Sequence, residues 1–203
     1  MIPEQLITRN RENIIEVSLP SFWINDIEQH DGGHKLEVSY ASLKNWLHVN
    51  QSHSETCYVL PIDGKFGVFV NTGLPVNEPD DFMYDWKTKD SKTGKPIVKS
   101  ARAGDCDCLI IHKEWHLLEF KTDASSLDID QIENNTRKAV AQLAKSLISF
   151  RQHYETLPST ICVMVSPNIY PKITSSMVTQ MLKFNKKYET ALKIIRANEK
   201  YVI

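Results

Sequence analysis

Net charge is nearly absent from this chain: 24 lysines and arginines face 25 aspartates and glutamates across 203 residues. That balance removes any whole-molecule electrostatic case for nucleic acid or an anionic membrane, so a basic surface has to be local. Cysteine is scarce, with Cys57, Cys106, Cys108 and Cys162 only, and neither Cys-x-x-Cys nor His-x-His spacing occurs. All four lie in apolar, strand-like contexts and read as small buried hydrophobes of a reducing compartment, not as a disulfide framework. Zinc knuckles space their thiolates by about two to four residues around a turn, which disfavours a zinc site on Cys106 and Cys108. No run approaches about 18 apolar residues, and "MIPEQLITRNRENIIEV" carries early charges without an apolar signal core. The expectation is a cytoplasmic chain with no membrane partner. There is no internal repeat and no low-complexity tract. A chain of 203 residues can bury a sizeable core without staples, so a single domain over residues 1–203 is expected.

What is present is an alternation of helical and extended patterns. Residues 1–36 resist assignment, and "HDGGH" marks a turn before a helix expected from Glu37 to His48. "TCYVLPIDGKFGVFVNT" gives two β-rich runs around Asp63-Gly64, a strong hairpin signal. In "DFMYDWKTKDSKTGKPIVKSAR" the aromatics Phe82, Tyr84 and Trp86 recur at the strand period and are followed by Lys87, Lys89, Lys92, Lys95, Lys99 and Arg102. From Asp130 to Tyr154, Ile132, Thr136, Ala139, Val140, Leu143, Leu147 and Phe150 form a helical stripe, with Asp130-x-x-Glu133 as a capping box. "STICVMVS" reads as a short buried strand, and Thr174 to about Asn198 as a second amphipathic helix. Helix, strands, helix, strand, helix is an α/β or α+β order.

The chemistry concentrates in "GDCDCLIIHKEWHLLEFK", Gly104 to Lys121. Its two apolar runs are too close together for anything but an antiparallel hairpin. Side chains two apart share a face of a strand, so Glu119 and Lys121 point the same way, as do Asp105 and Asp107. With Lys113, Glu114 and Trp115 as a three-residue tip, Leu109 falls opposite Glu119 and Asp107 opposite Lys121. Those three charged groups then share one face at one end of the hairpin. A two-residue tip would instead send Asp107 to the other face. Both faces are otherwise apolar, as in strands sandwiched between layers. Two carboxylates and an ammonium there cost free energy unless they pair or hold a cation. Converging hard oxygens suit magnesium or manganese.

Gly104-x-x-Asp107, an apolar strand, a turn, Leu117-Leu118-Glu119-Phe120-Lys121 and a long helix resemble the PD-(D/E)xK nuclease superfamily. The resemblance covers about residues 37–167. It implies an α/β restriction-endonuclease-like core, a central mixed β-sheet flanked by helices in the order αβββαβ. Residues 1–36 would be an N-terminal extension and 168–203 a C-terminal helical addition. It further implies that Asp107 and Glu119 bind the catalytic Mg2+, for which Mn2+ can substitute, with the Phe120 carbonyl as a further ligand, and that Lys121 orients the water and stabilises charge. Cys106 stands where the family has a proline. Glu37 is the nearest candidate for the extra glutamate some members carry, Asp105 is a second open candidate, and Gln142 lies on the helix that in some members carries a glutamine-and-tyrosine pattern. Of the other acid-x-Lys triplets, Asp63-Gly64-Lys65 is turn chemistry and Asp90-Ser91-Lys92 lies in a polar loop, while Asp85-Trp86-Lys87 lacks a second acid opening an apolar strand just before it.

The expected function is a metal-dependent nuclease hydrolysing phosphodiester bonds of nucleic acid, DNA before RNA, in restriction, repair or phage defence. A homodimer or a complex subunit is compatible with it. The alternative is a non-catalytic module of the same fold that binds nucleic acid or a protein. Lys95, Lys99 and Arg102 in the lysine-rich segment are candidates for tracking phosphates at the rim of the site, against the plainer reading of a solvated loop. Phe82, Tyr84 and Trp86 suit an edge strand packed on the core or on a second subunit better than base stacking. His112 and His116, flanking the hairpin tip, read as ordinary surface groups.

Overall fold

This computed structural model describes residues 6, 10–29, 33–51, 55–62, 82–154 and 156–203. The hairpin expected around Asp63-Gly64 lies partly outside them, its first run forming β5 (Cys57–Pro61). The centre of the fold is the pair β8 (Cys108–Ile111) and β9 (Trp115–Phe120), buried along their whole length. Such strands must be covered on both faces. They sit in a six-stranded mixed sheet of order β1-β5-β8-β9-β10-β11, with β1 (Ile15–Val17), β10 (Thr160–Ser166) and β11 (Ala191–Arg196). β5, β8 and β9 pair antiparallel, whereas β9, β10 and β11 run parallel. Parallel neighbours need crossovers, supplied by α1 (Ile129–His153) and α2 (Ser175–Tyr188).

Leu109, Ile111 and Leu117 pack with Leu143, Leu147, Phe150 and Phe184 of the two helices. On the opposite face Cys108, Ile110, Leu118 and Phe120 pack with Phe22, Ile24, Leu47 and Val49. Those last four belong to a second sheet of order β12-β4-β2-β3, made of β2 (Ser21–Glu28), β3 (His34–Ser39), β4 (Leu47–Asn50) and β12 (Lys200–Val202). The layers are therefore helices, mixed sheet, second sheet. The fold is α/β with mixed sheets, and among the described residues the helices cover one face of the central sheet only.

Several local expectations change. Residues 37–48 are not a helix: Leu36 and Val38 alternate along β3, Leu47 and Val49 along β4, and Asn45 turns the chain between them at φ 66°. The period-2 alternation prevails because each strand has a partner in β2 to pair with. The last helix stops at Tyr188, where Glu189 takes a left-handed cap at φ 50°, and Ala191–Arg196 become a strand of the central sheet. The segment expected as a helical addition thus contains one helix and two strands. α1 matches its stripe, with Ile132, Thr136, Ala139, Leu143, Leu147 and Phe150 buried, but its cap lies two residues before the expected one: Asp128 accepts from the Gln131 N–H at 3.1 Å. The four cysteines are free and buried. No helix among the described residues is long and apolar enough to cross a membrane.

A third unit, the two-stranded ribbon β6 (Met83–Lys89) and β7 (Pro96–Arg102), joins neither larger sheet.

Candidate metal centre

The register of the β8–β9 hairpin decides whether its charged residues meet. Ile111 pairs with Trp115, Leu109 with Leu117 and Cys108 with Leu118. The three-residue tip is His112, Lys113 and Glu114, and Trp115 is the first strand residue, since its ring packs edge-on against Phe150 and Tyr154. The pairing is displaced by two residues from the expected one. A displacement of two preserves facing where a displacement of one would reverse it. The Asp107 N–H donates to the Leu118 carbonyl at 3.0 Å, and the Asp107 carboxylate accepts from the Phe120 N–H. Glu119 is fully buried, and Lys121 pairs with it directly.

α1 backs this end of the hairpin. Gln142 donates its amide to the Asp105 carbonyl at 3.0 Å and accepts from the Lys121 ammonium at 3.4 Å, while Ser146 accepts from the Cys106 N–H at 2.9 Å. One helix face thus fixes both the entry to β8 and the amine at the end of β9. A cleft of about 340 Å³ opens here, lined by Asp107, Glu119, Phe120 and Lys121 together with Asp26, Lys138 and Gln142. A larger cleft, of about 690 Å³, lies between Glu114, Arg151 and Thr190 at the opposite end of β9. Its Glu114 is tied to Ser159 at 2.7 Å, and no carboxylate there is buried as Glu119 is.

Burial pushes the Asp107 carboxyl well above the usual range, and the Glu119 charge pushes the same way against the opposing pull of Lys121. For Lys121 burial works against the ammonium, but Glu119 and Asp107 prevail and lift it above its ordinary value. Lys121 therefore stands as an ammonium paired with Glu119, beside an Asp107 carboxyl whose burial favours its proton. Two carboxylates and the Phe120 carbonyl are a hard-oxygen set, suited to magnesium or manganese, which take one or two protein carboxylates and retain waters. Among the described residues no three His, Cys, Asp or Glu side chains gather at ligating geometry. The buried acids that face this cleft are Asp107 and Glu119.

The other candidates separate. Asp105 turns away to Lys145 at 3.4 Å. Glu37 lies on β3, is paired with Lys35 at 3.3 Å and does not line the cleft. Three further acids line the cleft, Asp26 and Glu28 from β2 and Asp123 just after β9; of these Asp26 pairs with His34 at 2.8 Å. Phe22, Ile24 and Asp26 alternate at the strand period, which is the signal that would have pointed to it had β2 been recognised. Lys138 was likewise missed, although it stands on α1 four residues before Gln142, on the same helix face. Lys95, Lys99 and Arg102 do not line the cleft; Lys95 is at the tip of the β6–β7 ribbon, and Lys99 and Arg102 are on β7 opposite Trp86 and Met83. His112 and His116 are buried, at 8% and 1% exposure, and so are not surface groups. His116 Nδ1 meets the Tyr201 hydroxyl at 2.7 Å, and burial pushes this imidazole down to about 4.

Comparison with protein families, with curated proteins and with solved structures gave no match. The site's chemistry therefore stands on its own geometry.

Proposed function

We propose that the chain is a metal-dependent nuclease hydrolysing phosphodiester bonds of nucleic acid, DNA before RNA, with a restriction-endonuclease-like core. The observation that carries this reading is the meeting of Asp107 and Glu119 with Lys121 at one end of a fully buried hairpin. The order β5, β8, β9, α1, β10 supports the core assignment, although no helix occupies 37–48.

Asp107 and Glu119, with the Phe120 carbonyl, would hold Mg2+ or Mn2+. When bound, such a cation polarises the scissile phosphate and acidifies water. The protein's own contributions follow from its contacts. The Phe120 N–H holds the Asp107 carboxylate in place. Gln142, itself anchored on Asp105, steadies the Lys121 ammonium, which donates to the oxygens where charge develops. α1 and the Leu109–Leu117 layer keep bulk water from the rear of the carboxylates, which strengthens every charge interaction in front of it.

The second reading is a non-catalytic binding module of the same fold, favoured by the ion pair between Lys121 and Glu119 that satisfies part of the centre internally. Cleavage of duplex DNA with Mg2+ separates the two. Glu119→Gln and Lys121→Ala should each stay folded and lose about a hundredfold to a thousandfold in rate, the scale for removing one preorganised electrostatic group. Full cleavage by both variants would end the nuclease reading.

A further inference from the structure

The β6–β7 ribbon carries Lys87, Lys89, Lys92, Lys95, Lys99 and Arg102 against only Asp85 and Asp90, in a chain whose net charge is −1. Both acids are committed within the ribbon. Asp85 accepts from the Ser100 hydroxyl, and Asp90 accepts from the Lys92 and Thr93 N–H groups at 3.0 and 2.7 Å.

The ribbon is held by an edge. Asn134 of α1, 8% exposed, presents its side-chain amide to β6 as a neighbouring strand would. Its Oδ1 accepts from the Lys87 N–H at 3.0 Å, and its Nδ2 donates to the Lys87 carbonyl at 2.9 Å. Met83 and Tyr84 lie beside Val140 and Ala141, and Lys87 lies beside Asn134 and Asp130. Three to four strand residues, about 10–13 Å, thus match seven helix residues, about 10 Å, with the two elements running in opposite directions. Since α1 begins at Ile129, the tip from Lys89 to Pro96 continues past the helix end. Every residue from Ser91 to Pro96 is exposed. The tip is nonetheless ordered: the Gly94 N–H donates to the Asp90 carbonyl at 2.9 Å from the left-handed conformation, φ 66°, and the Asp90 N–H donates to the Lys95 carbonyl at 2.8 Å.

An ordered, projecting, cationic two-stranded ribbon has the shape that a B-form major groove, about 12 Å wide, admits. The major groove of A-form RNA is too deep and narrow for it. Stacking on a single strand needs open rings, whereas Tyr84 and Trp86 are half-buried, lie 5.7 Å apart, and Tyr84 packs on the core. We infer that the ribbon is a duplex-DNA docking element, its tip lysines Lys89, Lys92 and Lys95 contacting phosphates across the major groove. This rests on the nuclease reading and gives that site its substrate class, duplex DNA.

The test is fluorescence anisotropy in EDTA, from 50 to 200 mM salt by the usual design of such titrations, on a DNA duplex and an RNA duplex of the same sequence. The proteins are the wild type and the variant carrying Lys89→Gln, Lys92→Gln and Lys95→Gln, with a thermal melt confirming that both are folded. The expected result is at least about a tenfold loss of DNA affinity in the variant and a salt slope smaller by about two to three, with much less change on RNA. Unchanged DNA affinity and slope, an equal loss on the RNA duplex, or a wild type that does not bind duplex DNA would each overturn the inference. Glu119→Gln is assayed for cleavage in parallel: full cleavage there, with the ribbon variant still losing DNA affinity, sinks the nuclease reading alone.

Discussion

Asp107 is held at a cost to the fold. A carboxyl whose pKa is raised by burial and by a neighbouring acid binds its proton more tightly in the folded chain than in the unfolded one. Its effect on stability is therefore favourable in acid and is lost progressively as pH rises from the ordinary carboxyl value of 3.8 towards the higher folded value. At neutral pH and without metal, Asp107→Asn should raise the melting temperature while removing cleavage, because the amide oxygen can still accept from the Phe120 N–H and carries no charge. A chain of about this size gains roughly 2–4 °C for each kcal/mol, so melts in EDTA across the pH range from 4 to 8 resolve the effect, and the gain should shrink towards the acid end. Equal or lower stability of the variant at pH 7 would show that the site tolerates the charge without a cation. The residues of this centre were legible because Asp107, Glu119 and Lys121 belong to one local hairpin. Asp26 was not, since it arrives from a strand in another sheet, and no spacing along the chain relates it to Glu119.

At the scale of elements, strands buried on both faces and the long helix were readable, and the paired surface strands were not. The apolar runs of β8, β9 and β10 and the stripe of α1 carry their structure locally. Glu37 to His48 has apolar residues at spacings compatible with a helical turn, and only the partner β2 turns it into β3, a turn and β4. The hairpin register depended on Trp115, whose place among Phe150 and Tyr154 makes it a core residue instead of a loop residue. The same dependence on distant partners governs the ribbon, whose contact with α1 centres on Asn134. Asn134→Ala should leave the Lys87 N–H and carbonyl without that partner and lower stability by about 1–3 kcal/mol. Hydrogen exchange at the Lys87 amide reads this directly. Acceleration there is expected, with the amides of β9 less affected, and an unchanged rate would mean that the amide clamp does not hold the ribbon.

Across the whole molecule, near-zero net charge conceals a segregation: cations collect on the ribbon, and the cleft between α1 and the second sheet gathers Asp26, Asp107 and Glu119. α1 touches both regions, contributing Gln142 to the cleft and Asn134 to the ribbon. On the proposed reading a divalent cation complements this acidic cleft, held by the Asp107 and Glu119 carboxylates and the Phe120 carbonyl. Anomalous diffraction from a crystal soaked in Mn2+ examines that complement directly. The expected result is a single strong peak in contact with the Asp107 and Glu119 carboxylates and the Phe120 carbonyl, at about 2.0–2.2 Å as for hard cations of this size, with the Lys121 ammonium moved off Glu119. A map with no peak at these oxygens, and Lys121 still closed onto Glu119, would contradict it.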